Sequence, residues 1–241
     1  MNAGGAFFGP TTVQEGGTVN GNTSIDLAAS TVVNNGMWTM NSSHALTLSA
    51  GGTFTNNGNL AWKAGTLSGT LTNNGTVTWA GGTVTSSPLG TINNGPSATF
   101  TMTGGTAQNG AINNQGTFTW AGGSMLSYTA IGTFLNATSA VFTLTGVSGY
   151  NTFYQAVTNN GTINFTGAGT LTPNPGTSIT NTGAINVNAG QWDWNHNTTH
   201  TGSVLIASGA TLHLFSGTAT FNAGTTLMGT GTLRISGNAT Q

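Results

Sequence analysis

Short runs in which apolar and polar residues alternate recur along most of the chain. In TLTNNGTVTWAGGTVTSSPLGTINNG, residues 70–95, Val77 and Trp79 alternate with threonines. This period of two is typical of a β-strand with one buried face. The runs are separated by Asn-Asn-Gly and Gly-Gly, which tolerate the left-handed backbone angles that sharp corners need. The pattern therefore predicts short strands joined by tight corners, and no stretch has convincing helical periodicity.

The corner glycine recurs about every 20 residues and sets the phase of a repeat. These glycines are Gly36, Gly58, Gly75, Gly95, Gly116, Gly161 and Gly183, and Asn136-Ala137 stands in for the corner missing from the one double-length interval. A coil of this length cannot bury its own apolar face, but stacking pairs each strand with the same strand one coil along. The sequence therefore predicts an all-β parallel β-solenoid (β-helix) of about ten coils of about 20 residues. Right-handed winding is expected from the chirality of parallel crossovers.

Two positions of the repeat are predicted to form columns along the stack. Side-chain amides two residues before the glycine would hydrogen-bond from coil to coil; this Asn column is Asn34, Asn56, Asn73, Asn93, Asn114, Asn159 and Asn181. Large side chains four residues after the glycine would fill the core; this aromatic and apolar column is Met40, Trp62, Trp79, Phe100, Trp120, Phe165 and Val187. The inserted Pro96 shifts one coil, so Phe100 and Met102 are the expected equivalents there.

Three segments are expected along the chain. Residues 1–30 are predicted to form an irregular N-terminal coil or plug, residues 31–201 the Asn-Asn-Gly repeat solenoid, and residues 202–241 coils of a diverged repeat. Solenoids expose unpaired strand edges at both ends, and natural ones usually cover them. Three explanations stay open: a longer parent chain, ends that stack on neighbouring copies, or a plug formed by the first segment.

Charge is almost absent, which bears directly on partners. Hydrophobic residues make up 36% of the chain and charged residues 2%. A surface with so few ions has no electrostatic barrier to association, so self-assembly is expected. Two basic residues cannot neutralise a phosphate backbone, which argues against nucleic acid as a partner. No apolar run of about 18 residues is present, so membrane insertion is not expected.

The TLTNNGTVTWAGGT modules and the closing SGATLHLFSGTATFNAGTTLMGTGTLRISG resemble the β-strand repeats of large secreted bacterial surface proteins. Autotransporter passenger domains and filamentous adhesins are of this kind. The resemblance implies a structural role outside the cell or at its surface. The start, MNAGGAFFGP, lacks the basic and long apolar regions of a signal peptide. We therefore expect that a signal has been removed or that the chain is a segment of something larger.

Titratable side chains are too scattered to predict an enzyme. Glu15, Asp26 and Asp193 lie in different coils, which argues against the carboxylate pair of a glycosidase. Cysteine is absent, which excludes thiolate metal sites and cysteine nucleophiles. No enzymatic activity, cofactor or metal is predicted.

Aromatic, acidic, amide and imidazole side chains are most concentrated in QWDWNH, residues 191–196, with His200 nearby. Alternation places its two tryptophans on one face, where they would continue the core. Two other interpretations stay open. The first is a glycan platform made by Trp192, Asp193, Trp194 and Asn195. The second is a metal site made by Asp193, His196 and His200. His44 and His213 are predicted to be isolated histidines in the core or on the surface.

Outward threonines suggest a third use of the surface. Stacked rows on a flat solenoid can match ice, and the candidates are Thr55, Thr72, Thr78, Thr101, Thr119 and Thr143. Variation in coil length is expected to spoil such a lattice. The sequence therefore predicts first an extracellular structural solenoid that stacks end to end into a filament, stalk or matrix, its partner being itself or a longer parent chain. The alternatives are an adhesin or carbohydrate-binding module for surface glycans, and an ice-binding solenoid.

Overall fold

A computed structural model describes residues 5–6, 9–21, 23–27, 30–40, 46–49, 51–84, 90–108, 110–126, 132–145, 149–150, 155–172 and 177–236. Every helix or strand found within these ranges is a β-strand, and the paired strands run parallel. The predicted all-β parallel solenoid is confirmed. Within the same ranges, nothing helical is long and apolar enough to cross a membrane.

The strands of the first half of the chain are short and follow one another in sets of three. They are β1 (Gly5–Ala6), β2 (Thr11–Val13), β3 (Thr18–Gly21), β4 (Ile25–Asp26), β5 (Thr31–Asn34), β6 (Met37–Met40), β7 (Leu46–Thr47), β8 (Thr53–Asn56), β9 (Asn59–Trp62), β10 (Thr66–Leu67), β11 (Thr70–Asn73), β12 (Thr76–Trp79), β13 (Thr83–Val84), β14 (Thr91–Asn94), β15 (Thr99–Met102), β16 (Thr106–Gln108), β17 (Ala111–Asn114), β18 (Thr117–Trp120) and β19 (Ser124–Leu126).

The second half continues the same order. Its strands are β20 (Gly132–Asn136), β21 (Val141–Leu144), β22 (Gly149–Tyr150), β23 (Gln155–Asn159), β24 (Thr162–Phe165), β25 (Thr170–Thr172), β26 (Ser178–Asn181), β27 (Ala184–Val187), β28 (Gln191–Trp194), β29 (Asn197–His200), β30 (Ser203–Ile206), β31 (Thr211–Leu214), β32 (Ala219–Phe221), β33 (Thr226–Gly229) and β34 (Thr232–Ile235).

Stacking of these sets produces a solenoid with three faces. The first sheet contains the eleven strands β2, β5, β8 and every third strand to β32, and the second sheet the eleven strands β3, β6, β9 and so on to β33. The third face is divided into the sheets β1-β4-β7, β10-β13-β16-β19 and β22-β25-β28-β31-β34. Eleven rungs in each long sheet lie close to the predicted number of coils. The predicted right-handed winding stays a prediction.

Both long sheets keep their register although the coils differ in length. Equivalent positions are 17 residues apart between Asn56 and Asn73 and 23 apart between Asn136 and Asn159. Part of the difference lies in the corner between the first and second sheets: Asn57-Gly58 joins β8 to β9, whereas residues 137–140 join β20 to β21. The corners therefore absorb the insertions, and strand pairing is undisturbed.

The second sheet sends two columns of side chains into the core. The first, which we call the Trp79 column, is Met40, Trp62, Trp79, Met102, Trp120, Leu144, Phe165, Val187 and Ile206. The second, the Phe100 column, is Trp38, Leu60, Val77, Phe100, Phe118, Phe142, Ile163, Ile185, Val204 and Leu227. The placement of Phe100 beside Trp79 was wrong: its register partner is Val77, and Met102 is the partner of Trp79.

A buried asparagine ladder follows the corner between the first and second sheets. It consists of Asn34, Asn56, Asn73, Asn94, Asn114, Asn136, Asn159 and Asn181, all with no exposed surface. Each amide nitrogen up to Asn159 donates to the side-chain oxygen of the next member at 2.7–2.9 Å. Each of these nitrogens also donates at 3.0 Å to a backbone oxygen of the next coil. The predicted column is thus present, and Asn136 belongs to it.

One member of the predicted Asn column was wrong. Asn94, not Asn93, pairs in register with Asn73 and Asn114. The longer corner after β14 places Gly95 one position earlier than the other corner glycines, so counting back two residues gives the wrong asparagine. Asn93 is half-buried on the opposite face and accepts a hydrogen bond from Asn113 Nδ2 at 2.9 Å.

The long sheets continue across both predicted segment boundaries. Within residues 1–30, β2 and β3 pair with β5 and β6, so this part extends the same sheets. The boundary between residues 201 and 202 falls in the corner between β29 and β30. The diverged repeat therefore adds strands to the same three faces.

Candidate functional site

The tryptophans of the QWDWNH segment lie in the core. Trp192 and Trp194 are 2% and 1% exposed, and their rings meet edge to face with centroids 5.8 Å apart. Trp192 also contacts Phe165, with ring centroids 5.7 Å apart. Strand alternation turns both indoles inward, so neither can stack on a sugar ring. The alternative interpretation as a glycan platform was wrong, and the interpretation of the two tryptophans as core is confirmed.

The polar members of that platform are also withdrawn from solvent. Asp193 is 6% and Asn195 8% exposed. The Asp193 carboxylate accepts from Gln191 Nε2 at 2.6 Å and lies 3.0 Å from His213 Nδ1. Asn195 Oδ1 lies 3.4 Å from His196 Nδ1. These groups therefore bind other parts of the protein, and they are not presented to a glycan.

His200 takes over the ladder position after Asn181. It pairs in register with Asn181 on one side and Phe221 on the other. Its ring stacks on Trp194 with centroids 4.8 Å apart and on Phe221 with centroids 5.1 Å apart. An imidazole between two aromatic rings therefore ends the asparagine ladder.

Burial keeps His196 and His200 neutral at neutral pH. It lowers the pKa of His200 to about 4. Burial also lowers the pKa of His196 to about 4, with a smaller contribution from the nearby His200. Neither His200 ring nitrogen has a hydrogen-bond partner, and the same holds for His196 Nε2. Charging these rings would therefore place cations in an interior with nothing to solvate them.

The alternative interpretation, a metal site made by Asp193, His196 and His200, does not fit the structure. Asp193 lies on the outer side of β28, because Trp192 and Trp194 occupy its inner side. His200 belongs to the interior position of β29, so the two cannot share an ion. Across the described ranges, no group of three or more histidine, aspartate or glutamate side chains is arranged to hold a metal.

His213 is not isolated, contrary to the prediction. It is 4% exposed, with Nδ1 3.0 Å from Asp193 Oδ1 and Nε2 2.7 Å from Ser236 Oγ. Asp193 and His213 are register partners in β28 and β31. Aligning WDW with LHL in successive coils would have revealed this pair. His44 lies outside the described residues.

The outward threonines form ordered rows on two faces. Thr55 and Thr72 pair in the first sheet, and Thr78, Thr101, Thr119 and Thr143 pair successively in the second. A parallel row in the second sheet contains Thr76, Thr99 and Thr117. The two rows of the second sheet share a six-threonine block that is two threonines wide and three strands deep. Its members, all exposed or half-buried, are Thr76, Thr78, Thr99, Thr101, Thr117 and Thr119.

Comparison with known proteins does not assign a function to this arrangement of residues. The chain matches no family model, no curated protein and no solved structure.

Proposed function

We propose that this chain is a structural β-solenoid of the bacterial cell surface whose copies stack end to end into a filament, stalk or matrix. The observation that carries the proposal is the edge made by β32, β33 and β34, the last strands of the described residues, where the Phe100 column reaches solvent. The resemblance of the repeats to secreted bacterial surface proteins supports the location. The near absence of charge supports association, because little repulsion opposes it.

The last described strands expose apolar side chains and strand edges. Leu227 ends the Phe100 column and is 46% exposed. Ile235, the register partner of the buried Leu214, is 44% exposed. β32, β33 and β34 are the final strands of their sheets, so each has one edge without a strand partner within the described chain. A matching coil placed there would complete backbone pairing and bury both side chains.

Charge favours the first coil of a second copy as the matching coil. Exposed Glu15 and Asp26 lie at the N-terminal end, and exposed Arg234 at the C-terminal end. Asp26 and Arg234 belong to the same third face, in β4 and β34. Head-to-tail stacking would bring them within about two strand spacings, roughly 10 Å, which is about one Debye length. Stacking of two like ends would instead bring like charges together.

The test compares the native protein with a variant that carries charge at the edge made by β32, β33 and β34. Leu227→Glu with Ile235→Glu is expected to abolish concentration-dependent assembly, because two carboxylates would be desolvated at the contact. Thr119→Glu puts one carboxylate on a lateral face and serves as the matched control. Sedimentation velocity and negative-stain microscopy measure the length distribution.

The expected result is rods that lengthen with concentration for the native protein and the control, and single short rods for the double variant. Monomers of the native protein at every concentration would contradict the proposal. Unchanged assembly of the folded double variant would also contradict it, because the contact would then lie elsewhere.

A second candidate, ice binding, is favoured by one observation. The varied coil lengths were expected to disrupt the threonine rows, yet the second sheet keeps its register throughout. Hydroxyls of the six-threonine block then repeat about every 4.8 Å across strands and about 6.7 Å along them. Such a repeat could present a regular lattice to an ordered water surface.

Ice recrystallisation and thermal hysteresis test this candidate. Thr101→Tyr places a bulky ring in the centre of the block and is expected to abolish any activity. Thr180→Tyr, on an exposed position of the first sheet, is the control that should retain it. Absence of activity in the native protein would eliminate the candidate.

A further inference from the structure

A continuous chain of hydrogen bonds crosses three coils on the outer side of the third face. It begins at Gln191, whose Nε2 donates to Asp193 Oδ1 at 2.6 Å. The carboxylate holds His213 Nδ1 at 3.0 Å, and His213 Nε2 lies 2.7 Å from Ser236 Oγ. A carboxylate, an imidazole and a hydroxyl are therefore joined in the order in which a nucleophilic triad uses them.

The partners of His213 fix the direction of these bonds. An ionised carboxylate can only accept, so Asp193 requires the proton of the neutral ring to lie on Nδ1. Nε2 then carries the lone pair and accepts from the Ser236 hydroxyl. This tautomer is the one in which histidine can take the serine proton as a general base.

The serine end of the chain is accessible, while the other end is buried. Ser236 is half-buried, whereas Asp193 and His213 are 6% and 4% exposed. Phe215 is 45% exposed, and its ring meets the His213 ring edge to face with centroids 5.5 Å apart. An electrophile at Ser236 would therefore have an apolar surface beside it and a shielded base behind the hydroxyl.

We propose that Ser236, His213 and Asp193 form a nucleophilic triad that cleaves small carboxylic esters with an apolar acyl group. Ser236 Oγ forms a bond to the ester carbonyl carbon while its proton moves to His213 Nε2. The ester C–O bond then breaks, and the same proton passes to the leaving alkoxide. Water attacks the acyl-enzyme with Nε2 again as base, and release of the carboxylic acid restores Ser236. Asp193 remains ionised and stabilises the imidazolium.

This activity is separate from end-to-end stacking, and the two can fail independently. Ser236 lies at the end that stacking would cover, so the assay uses dilute intact protein. The probe is p-nitrophenyl acetate, with p-nitrophenolate release followed in time. Acid quenching and peptide mapping then locate the acetyl group. The expected result is one acetyl group on Ser236 that is lost again by hydrolysis.

Variants separate an activated serine from ordinary surface acylation. Ser236→Ala is expected to remove the acetyl group and reduce the rate to that of the urea-unfolded chain. His213→Gln should slow acylation by about a hundredfold, the usual contribution of a general base. Asp193→Asn should also slow it, because an amide no longer fixes the tautomer. Ser216→Ala is the matched control: Ser216 is half-buried at the same end but donates to the Asn195 carbonyl at 3.3 Å.

Two outcomes would overturn the proposal. The first is acetylation of the native protein only at Lys63, the α-amino group or scattered hydroxyls. The second is acylation of Ser236 at an unchanged rate in folded His213→Gln. In either case the hydrogen-bond chain would be a structural link between coils.

Discussion

Asn114 shows why one residue type recurs at the corner between the two long sheets. Its Nδ2 donates to Asn136 Oδ1 at 2.8 Å and to the Val141 carbonyl at 3.0 Å, and its Oδ1 accepts from Asn94 at 2.8 Å. Aspartate lacks the two donors, and glutamine is one methylene too long for the same corner. The residue thus satisfies a buried carbonyl and two neighbouring coils at once.

Asn114→Ala is expected to destabilise the protein by roughly 2–4 kcal/mol. It removes three hydrogen bonds and leaves the Val141 carbonyl and the Asn94 amide buried with one bond fewer. Asn113→Ala, one residue earlier and half-buried on the outer face, should cost about 1 kcal/mol or less. Urea denaturation followed by circular dichroism measures both. Equal losses in the two variants would contradict the role given to the ladder.

At the level of single residues, the sequence was sufficient wherever the corner had its common length. Trp62, Trp79 and Trp120 occupy the predicted column, and most of the Asn ladder was predicted. Asn93 and Phe100 were misplaced because the phase was counted from a glycine whose position depends on corner length. The strand pattern itself was unaffected, since Thr99–Met102 alternates as the other strands do.

Strand β29 changes the chemistry of the ladder within an unchanged backbone. It pairs residue for residue with β26, yet His200 follows Asn181 where an asparagine would continue the series. The ring is held by stacking, with no hydrogen bond to either nitrogen. This strand therefore places a titratable ring at the position that asparagine occupies in the preceding coils.

Stability is expected to fall as the pH decreases from about 6.5 to about 4. The pKa of His196 and of His200 is about 4 in the folded chain and 6.5 in the unfolded chain. Above pH 6.5 both histidines are neutral in the folded and the unfolded chain, and they do not lower the free energy of unfolding. Between these values the unfolded chain binds protons that the folded chain does not, which favours unfolding. The loss can reach about 3 kcal/mol for each histidine, at about 1.4 kcal/mol per pKa unit.

His200→Phe is the matched variant for this pH dependence. It keeps a ring between Trp194 and Phe221 but cannot be protonated. Thermal melts at pH 7 and pH 4.5 should show a smaller decrease for the variant than for the native protein, and equal or higher stability at pH 7. An identical decrease in both would assign the acid sensitivity to other groups.

The polar contacts between elements were not predicted, although aligning WDW with LHL would have given the Asp193–His213 pair. Asp193, His213 and Ser236 are separated along the chain, and only the register of β28, β31 and β34 brings them together. The burial of the two tryptophans in β28 followed from alternation alone. Which outward side chains meet depends on corner lengths, and these vary from coil to coil.

For the whole molecule, strand register is the property that the sequence must preserve. Deleting residues 70–90 removes one complete coil, because Thr70 and Thr91 are register partners. Thr53 would then face Thr91, and the remaining rod should fold and be shorter by about 4.8 Å. Circular dichroism and small-angle scattering check the result.

Deletion of residues 70–80 is the control, since it removes β11 and β12 but keeps β13. It leaves a partial coil and moves the following strands to the wrong face, so loss of the cooperative fold is expected. If both deletions fold equally well, register is less restrictive than the ladders imply.

Backbone hydrogen bonds between strands run along the length of the rod, and the first and last coils lie at opposite ends. Tension applied through the termini therefore loads the outermost coil first, one layer of bonds at a time. Each detached coil would release about 20 residues, roughly 70 Å of slack, before the next is strained. In an optical trap such a molecule should lengthen in small successive steps and dissipate the work of pulling, as a shock-absorbing tether does.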